Sequence, residues 1–188
     1  MRGILSRPEA LAIQPLDADI RVHPRRDPGC FHEAHKFIQP FRDDYAHALV
    51  IFDRSWEGAP TLNALTLEAE VRARLPKDWA DVVVVDPEIE AWVWSDSPHV
   101  ETCLGWQSRS PGLRDWLQKQ GIWQPERAKP EDPKAAVERA LREVKLPRSS
   151  SIYQNLTTRV NVDHCVDASF SRLRAILGRW FGPSGGSR

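Results

Sequence analysis

Five acids stand where two apolar runs give out, and clusters of carboxylate oxygens are a usual way to hold a divalent cation. The first run is His47-Ala48-Leu49-Val50-Ile51-Phe52-Asp53, with Glu57 just beyond it. The second is Asp81-Val82-Val83-Val84-Val85-Asp86, continuing as Pro87-Glu88-Ile89-Glu90-Ala91-Trp92. Asp53, Glu57, Glu88 and Glu90 are the candidate metal ligands, and Mg²⁺ is the expected ion. Asp53, Glu57 and Glu90 are the acids expected to act in catalysis, the cation activating water and stabilising a departing oxygen. Glu88 and Glu90 are two apart at the opening of an expected helix, so they point about 200° apart and only one can face a crevice. Glu90, sharing a side with Trp94, is slightly favoured; the other acid would interact with the positive helix end. An Asp at a strand end can also merely make a turn or a cap. Arg54 could neutralise Asp53.

Unbroken β-branched runs predict strands buried on both faces, as in a parallel sheet covered by helices. In such sheets the crevice at the carboxyl ends of the strands takes the ligand. Strands are expected at 19–22, 47–53 and 81–86. Helices are expected over the tail 4–11, at 31–41, at 65–75 after a cap at Thr61 or Asn63, and from Pro87 through Trp94. The two prolines and the glycine of 23–29 predict a loop. After residue 97 the signal is helical throughout, at 98–104 with Asp96 as cap, 112–120, 133–144, 150–160 and 168–181. The expected fold class is α/β: a small, mainly parallel sheet flanked by helices over 1–97, a helical C-terminal cap over 98–181, and a flexible tail at 182–188.

The net charge of zero hides a division. Residues 1–105 hold 11 Lys/Arg against 18 Asp/Glu, and residues 106–188 hold 15 against 8. A basic surface of Arg127, Lys129, Lys134, Arg139 and Arg148 could track a phosphate backbone. Equally, the two halves could attract each other or an oppositely charged partner. Neither phosphate-binding glycine loop occurs, nor a Gly-x-Ser-x-Gly elbow, which excludes nucleotide binding and hydrolase chemistry by those devices. Cys30, His32 and His35 lack the spacing of a zinc site, and His164-Cys165 does not complete one. Three scattered cysteines argue against a disulfide framework. The eight tryptophans read as core filling rather than base stacking. No run reaches the roughly 18 apolar residues of a membrane span. The expectation is a cytoplasmic protein with no membrane partner.

The order of elements, with strands ending in Asp53 and in Asp86-Pro87-Glu88-Ile89-Glu90-Ala91-Trp92, resembles the TOPRIM-like (topoisomerase–primase) proteins of bacterial anti-phage operons. Lys134, Arg148-Ser149-Ser150-Ser151-Ile152-Tyr153 and the stretch Asp167 to Leu173 with Trp180 extend the likeness. It is nearest to the RloB-related group and to components of methylation-associated defence systems, over about residues 5 to 181. The resemblance implies a component of a defence system, with proteins of the same operon as partners and nucleic acid as a further one. It also implies a first strand ending in Glu, absent from this chain, and an Asp-x-Asp motif that here becomes Asp53-Arg54-Ser55. Serine is not a charged Mg²⁺ ligand. Two functions follow: a Mg²⁺-dependent nuclease or phosphoryl-transfer subunit with a degenerate acidic site, or a non-catalytic adaptor of a defence complex.

Overall fold

Two of the three expected strands form. In chain order the elements are α1 (Arg2–Leu5), α2 (Pro8–Leu11), α3 (Arg26–Ile38), β1 (Ala48–Asp53), α4 (Ala64–Arg72), β2 (Ala80–Val85), α5 (Pro98–Cys103), α6 (Leu113–Lys119), α7 (Pro133–Glu143), α8 (Ser150–Arg159) and α9 (Ala168–Phe181). Short 3-10 turns lie at Gln39–Phe41 and Ile89–Trp92. The computed structural model describes residues 1–94, 97–161 and 165–183. The expected cap Asp96, His164 and most of the expected tail lie outside the described residues. The chain is an α/β protein of two compact units, one of Asp19–Ile89 with Ala168–Arg188, the other of Met1–Ala18 with Glu90–Asp167.

In the sheet unit, β1 and β2 pair in parallel, from Ala48 opposite Ala80 to Asp53 opposite Val85. Val82 to Val85 are wholly buried, as their β-branched run requires. β1 departs from the expectation: only Val50 and Phe52 are buried, and Leu49 and Ile51 are half-exposed. The reason is that the expected strand at 19–22 does not form, which leaves β1 at an edge. In that segment Asp19 instead accepts the Tyr45 hydroxyl, and the Arg21 guanidinium lies 4.2 Å from the centre of the Phe41 ring.

Val50, Phe52, Val82 and Val84 pack with Phe31 and Ala34 of α3 and with Leu67 and Val71 of α4. Asn63 caps α4 by accepting the Thr66 N–H at 2.9 Å. α3 begins inside the expected loop, because Pro28 falls in the first turn, where a missing N–H costs no intrahelical bond. Gly29 follows it in the helix, where a Cβ would collide with the buried His23 ring.

The units also divide the chain differently from a break at residue 97, since α9 returns to pack on β2. Arg172 donates to Glu68 at 2.8 Å, and Arg179 to Asp81 at 2.6 Å. Burial alone would raise the Asp81 pKa, but bonds from the Val82 N–H, Arg72 and Arg179 outweigh it and hold the carboxyl below its usual value. The ionised form therefore stabilises the fold above the ordinary Asp pKa of about 3.9, and that contribution is lost as pH falls through the lower folded value. Asp81→Asn is expected to lower the melting temperature at about pH 6, with the difference from wild type shrinking toward about pH 3. Thermal melts across that range check the sign.

In the helical unit, α7 buries Pro133, Ala136, Val137, Ala140 and Leu141, the i, i+3, i+4, i+7, i+8 stripe of an amphipathic helix. Asp132 caps it by accepting the Ala135 N–H at 2.8 Å, and Pro133 takes the first helical position. The stripe joins Trp94, Leu104, Trp106, Leu117 and Leu156 in one core. The tryptophans here fill space, as expected. Residues 1–18 belong to this unit: the Arg7 guanidinium donates to the Val160 carbonyl at 2.6 Å, and a Cβ on Gly3 would strike Thr157.

Candidate metal centre

Asp53 ends β1 and is held from both sides. Its N–H donates to Asp27 Oδ1 at 3.2 Å, and its own Oδ1 accepts the Ile89 N–H at 2.9 Å. The second bond draws the chain after β2 back to the end of β1, a job that the Ser55 N–H shares by donating to the Pro87 carbonyl at 3.1 Å. Glu88 and Glu90 flank Ile89 in that stretch. The segment 86–92 is not the full helix expected from Pro87; only Ile89–Trp92 turns, as a 3-10 helix.

Because of that tight local path, Asp53, Glu88 and Glu90 each offer a carboxylate oxygen within 4.8 Å of the others. Such a span is near twice a Mg²⁺–O or Ca²⁺–O distance of about 2.1–2.6 Å, so one cation fits among them. All donors are hard oxygens, which suits Mg²⁺, Ca²⁺ or Mn²⁺ and disfavours soft metals. The cluster can hold a metal ion. Glu57 is not among the converging acids; it sits in an exposed turn beyond β1. Arg54, next to Asp53 in sequence, reaches Asp86, Nε to Oδ1 at 2.6 Å.

Glu90 is buried and meets Arg148, 3.3 Å away, whose guanidinium also takes Glu138 at 2.7 Å. Arg148 stacks over the Tyr153 ring at 5.2 Å. The Tyr153 hydroxyl is pushed up to about 12, by burial first and by the Glu90 charge next. Sequence reasoning assigned Arg148 to a phosphate surface and did not connect Tyr153 or Asp27 to the acids. The only signal was the motif Arg148 to Tyr153 itself, which carries no information about a carboxylate 58 residues away.

The other basic candidates differ in exposure. Arg127 and Arg139 are exposed, the former 3.8 Å from Glu131. Lys129 turns inward, donating to the Ala91 carbonyl at 2.5 Å with Asp167 at 3.4 Å, and Lys134 is half-buried. The Cys30 thiol is pushed up to about 11 by burial and then by Asp27, so it stays protonated and is a poor metal ligand. Cys30, Cys103 and Cys165 are all unbridged. Among the described residues no helix is long and apolar enough to cross a membrane.

Set against protein-family models, curated proteins and solved structures, the chain matches none.

Proposed function

We propose that Asp53, Glu88 and Glu90 bind Mg²⁺ and that the chain is a TOPRIM-like subunit of an anti-phage system acting in phosphoryl transfer. One observation carries the proposal: three carboxylates converge at the carboxyl end of a parallel strand pair, where ligands of parallel sheets lie. Like charges at that spacing repel, and a divalent cation relieves the repulsion. Asp53 is the central ligand, since Ile89 fixes one of its oxygens. Glu57 would act from the exposed turn only after that turn moved inward. The defence setting and operon partners rest on the sequence resemblance.

The non-catalytic adaptor remains as a second reading for one reason. Arg148 already compensates Glu90 without a metal. Titration of the full chain with Mg²⁺ and Mn²⁺, followed by calorimetry, separates the two. The metal reading expects binding that Asp53→Asn weakens about 100-fold or more, since even outer groups around a metal are worth about 10- to 100-fold. No heat of binding, or equal binding by Asp53→Asn, overturns it. In cells, full phage protection by Asp53→Asn at matched protein abundance would retire catalysis even if the ion binds.

A further inference from the structure

The two outer edges of the sheet are treated in opposite ways. Ala48 N–H donates to the Trp79 carbonyl at 3.0 Å and Arg54 N–H to the Val85 carbonyl at 2.7 Å. In a parallel ladder the partner side alternates, so residues 48, 50, 52 and 54 bond to β2, while His47, Leu49, Ile51 and Asp53 turn their N–H and C=O outward. On β2 the Ala80 N–H is taken by the Pro76 carbonyl at 2.9 Å, and the four outward groups of Val82 and Val84 are closed by side chains. Val82 N–H meets Asp81 at 2.8 Å and its carbonyl takes Arg72 at 3.3 Å; Val84 N–H meets Glu68 at 2.9 Å and its carbonyl takes Arg172 at 3.2 Å. Charged groups on an edge in this way block further pairing.

On β1, Asp27 closes the Asp53 N–H. Among the described residues nothing bonds to the outward N–H or C=O of Leu49 or Ile51. Beside them runs a half-open cavity of about 170 Å³, lined along one side by His47 to Ile51 and elsewhere by Phe37, Phe41, Tyr45, Asp19 and Arg21. The buried Nδ1 of His47 likewise has no hydrogen-bond partner among the described residues. His47 is itself held flat against Trp180, ring centres 4.5 Å apart and 2° from parallel.

We propose that this edge docks an extended, largely apolar peptide segment of a partner protein, which adds as a third strand along Leu49 to Ile51. Two unpaired donors and two unpaired acceptors at strand spacing match a peptide backbone, which supplies both at the same repeat. Apolar and aromatic side chains line the groove and would take every second side chain of the guest. Asp19 and Arg21 also line the cavity, and pairing by a second copy of β1 is the alternative that sedimentation tests. The proposal is independent of the metal reading, and neither test below involves the acids.

A random heptapeptide library selected on the full chain supplies the probe. Enriched peptides are expected to carry apolar residues at alternate positions. N-methylation of the best peptide should weaken binding about tenfold or more at every second residue, with little effect between. Ile51→Pro should weaken it similarly, because the N–H lost there points away from β2 and the ladder survives. No enriched peptide, a methylation profile without the two-residue period, or full binding by Ile51→Pro overturns the proposal. Circular dichroism checks that Ile51→Pro folds; if it does not, the methylation profile decides alone. Sedimentation without peptide completes the test: a dimer dissolved by Ile51→Pro would assign the edge to a second copy and overturn the partner segment.

Discussion

Glu68→Ala is expected to lower the unfolding free energy by about 3–5 kcal/mol, because it strips the partner from an ion pair inside the sheet unit. The Glu68 side chain is 2 % exposed. Its Oε1 accepts both Arg172 at 2.8 Å and the Val84 N–H at 2.9 Å, joining α4, α9 and the outer edge of β2 at one atom. Truncation leaves a guanidinium and a backbone donor without their acceptor in a place water reaches poorly. Glu68→Gln keeps an acceptor for Val84 and should cost less. The double variant Glu68→Met with Arg172→Met removes both charges and should recover much of the loss. What remains then reports the two Val84 hydrogen bonds, the N–H to Glu68 and the carbonyl to Arg172, about 1 kcal/mol each. Urea unfolding followed by circular dichroism measures the series. A Glu68→Ala variant as stable as wild type would mean that these elements are held by apolar packing alone.

Trp94→Ala should cost about 3–5 kcal/mol as well, through a different mechanism: loss of buried aromatic surface and the cavity left behind. Trp94 is 2 % exposed and meets Trp123 edge-on with ring centres 5.4 Å apart. Its Nε1–H donates to the Pro133 carbonyl at 2.9 Å, which ties the indole to the first turn of α7. Trp94→Phe retains most of the packing and loses that bond, so it should cost distinctly less than the alanine variant. The same unfolding measurement, repeated with tryptophan fluorescence, resolves the two terms. Equal losses for Phe and Ala would assign the whole effect to the hydrogen bond.

Helix positions after residue 97 were legible because their signals are local. Asp132-Pro133 puts a cap before a first-position proline, and the helix starts there, whereas the helix from Pro98 is capped by Ser97, not by the expected Asp96. The expected 168–181 helix spans those residues in the fold. The β2 run was legible for the same reason, since four consecutive valines suit a strand buried on both faces and little else. Asp53 could be placed at a strand end from its run alone. Its company could not: Glu88 and Glu90 join it because Ile89 donates to it, a bond between residues 36 apart. Glu57, four residues from Asp53 in sequence, is not brought in.

What the sequence determined by itself is thus the inventory: an α/β chain, the strands at 47–53 and 81–86 among the three expected, a helical remainder, and acids at the strand ends. The tertiary structure decided which groups meet. It left residues 19–22 unpaired and made β1 an edge, where local alternation alone predicts a strand. It placed α9 on β2 through Arg172 and Arg179, where the order along the chain groups 168–181 with the other helices in one cap packed on the core. It turned Arg148 toward Glu90 and Lys129 toward Asp167, where composition predicts an open basic face. The physical reason is common to all of these. Hydrophobic period, caps and turns act over a few residues and can be read in place, whereas a charge finds its partner only after the backbone has been folded around it.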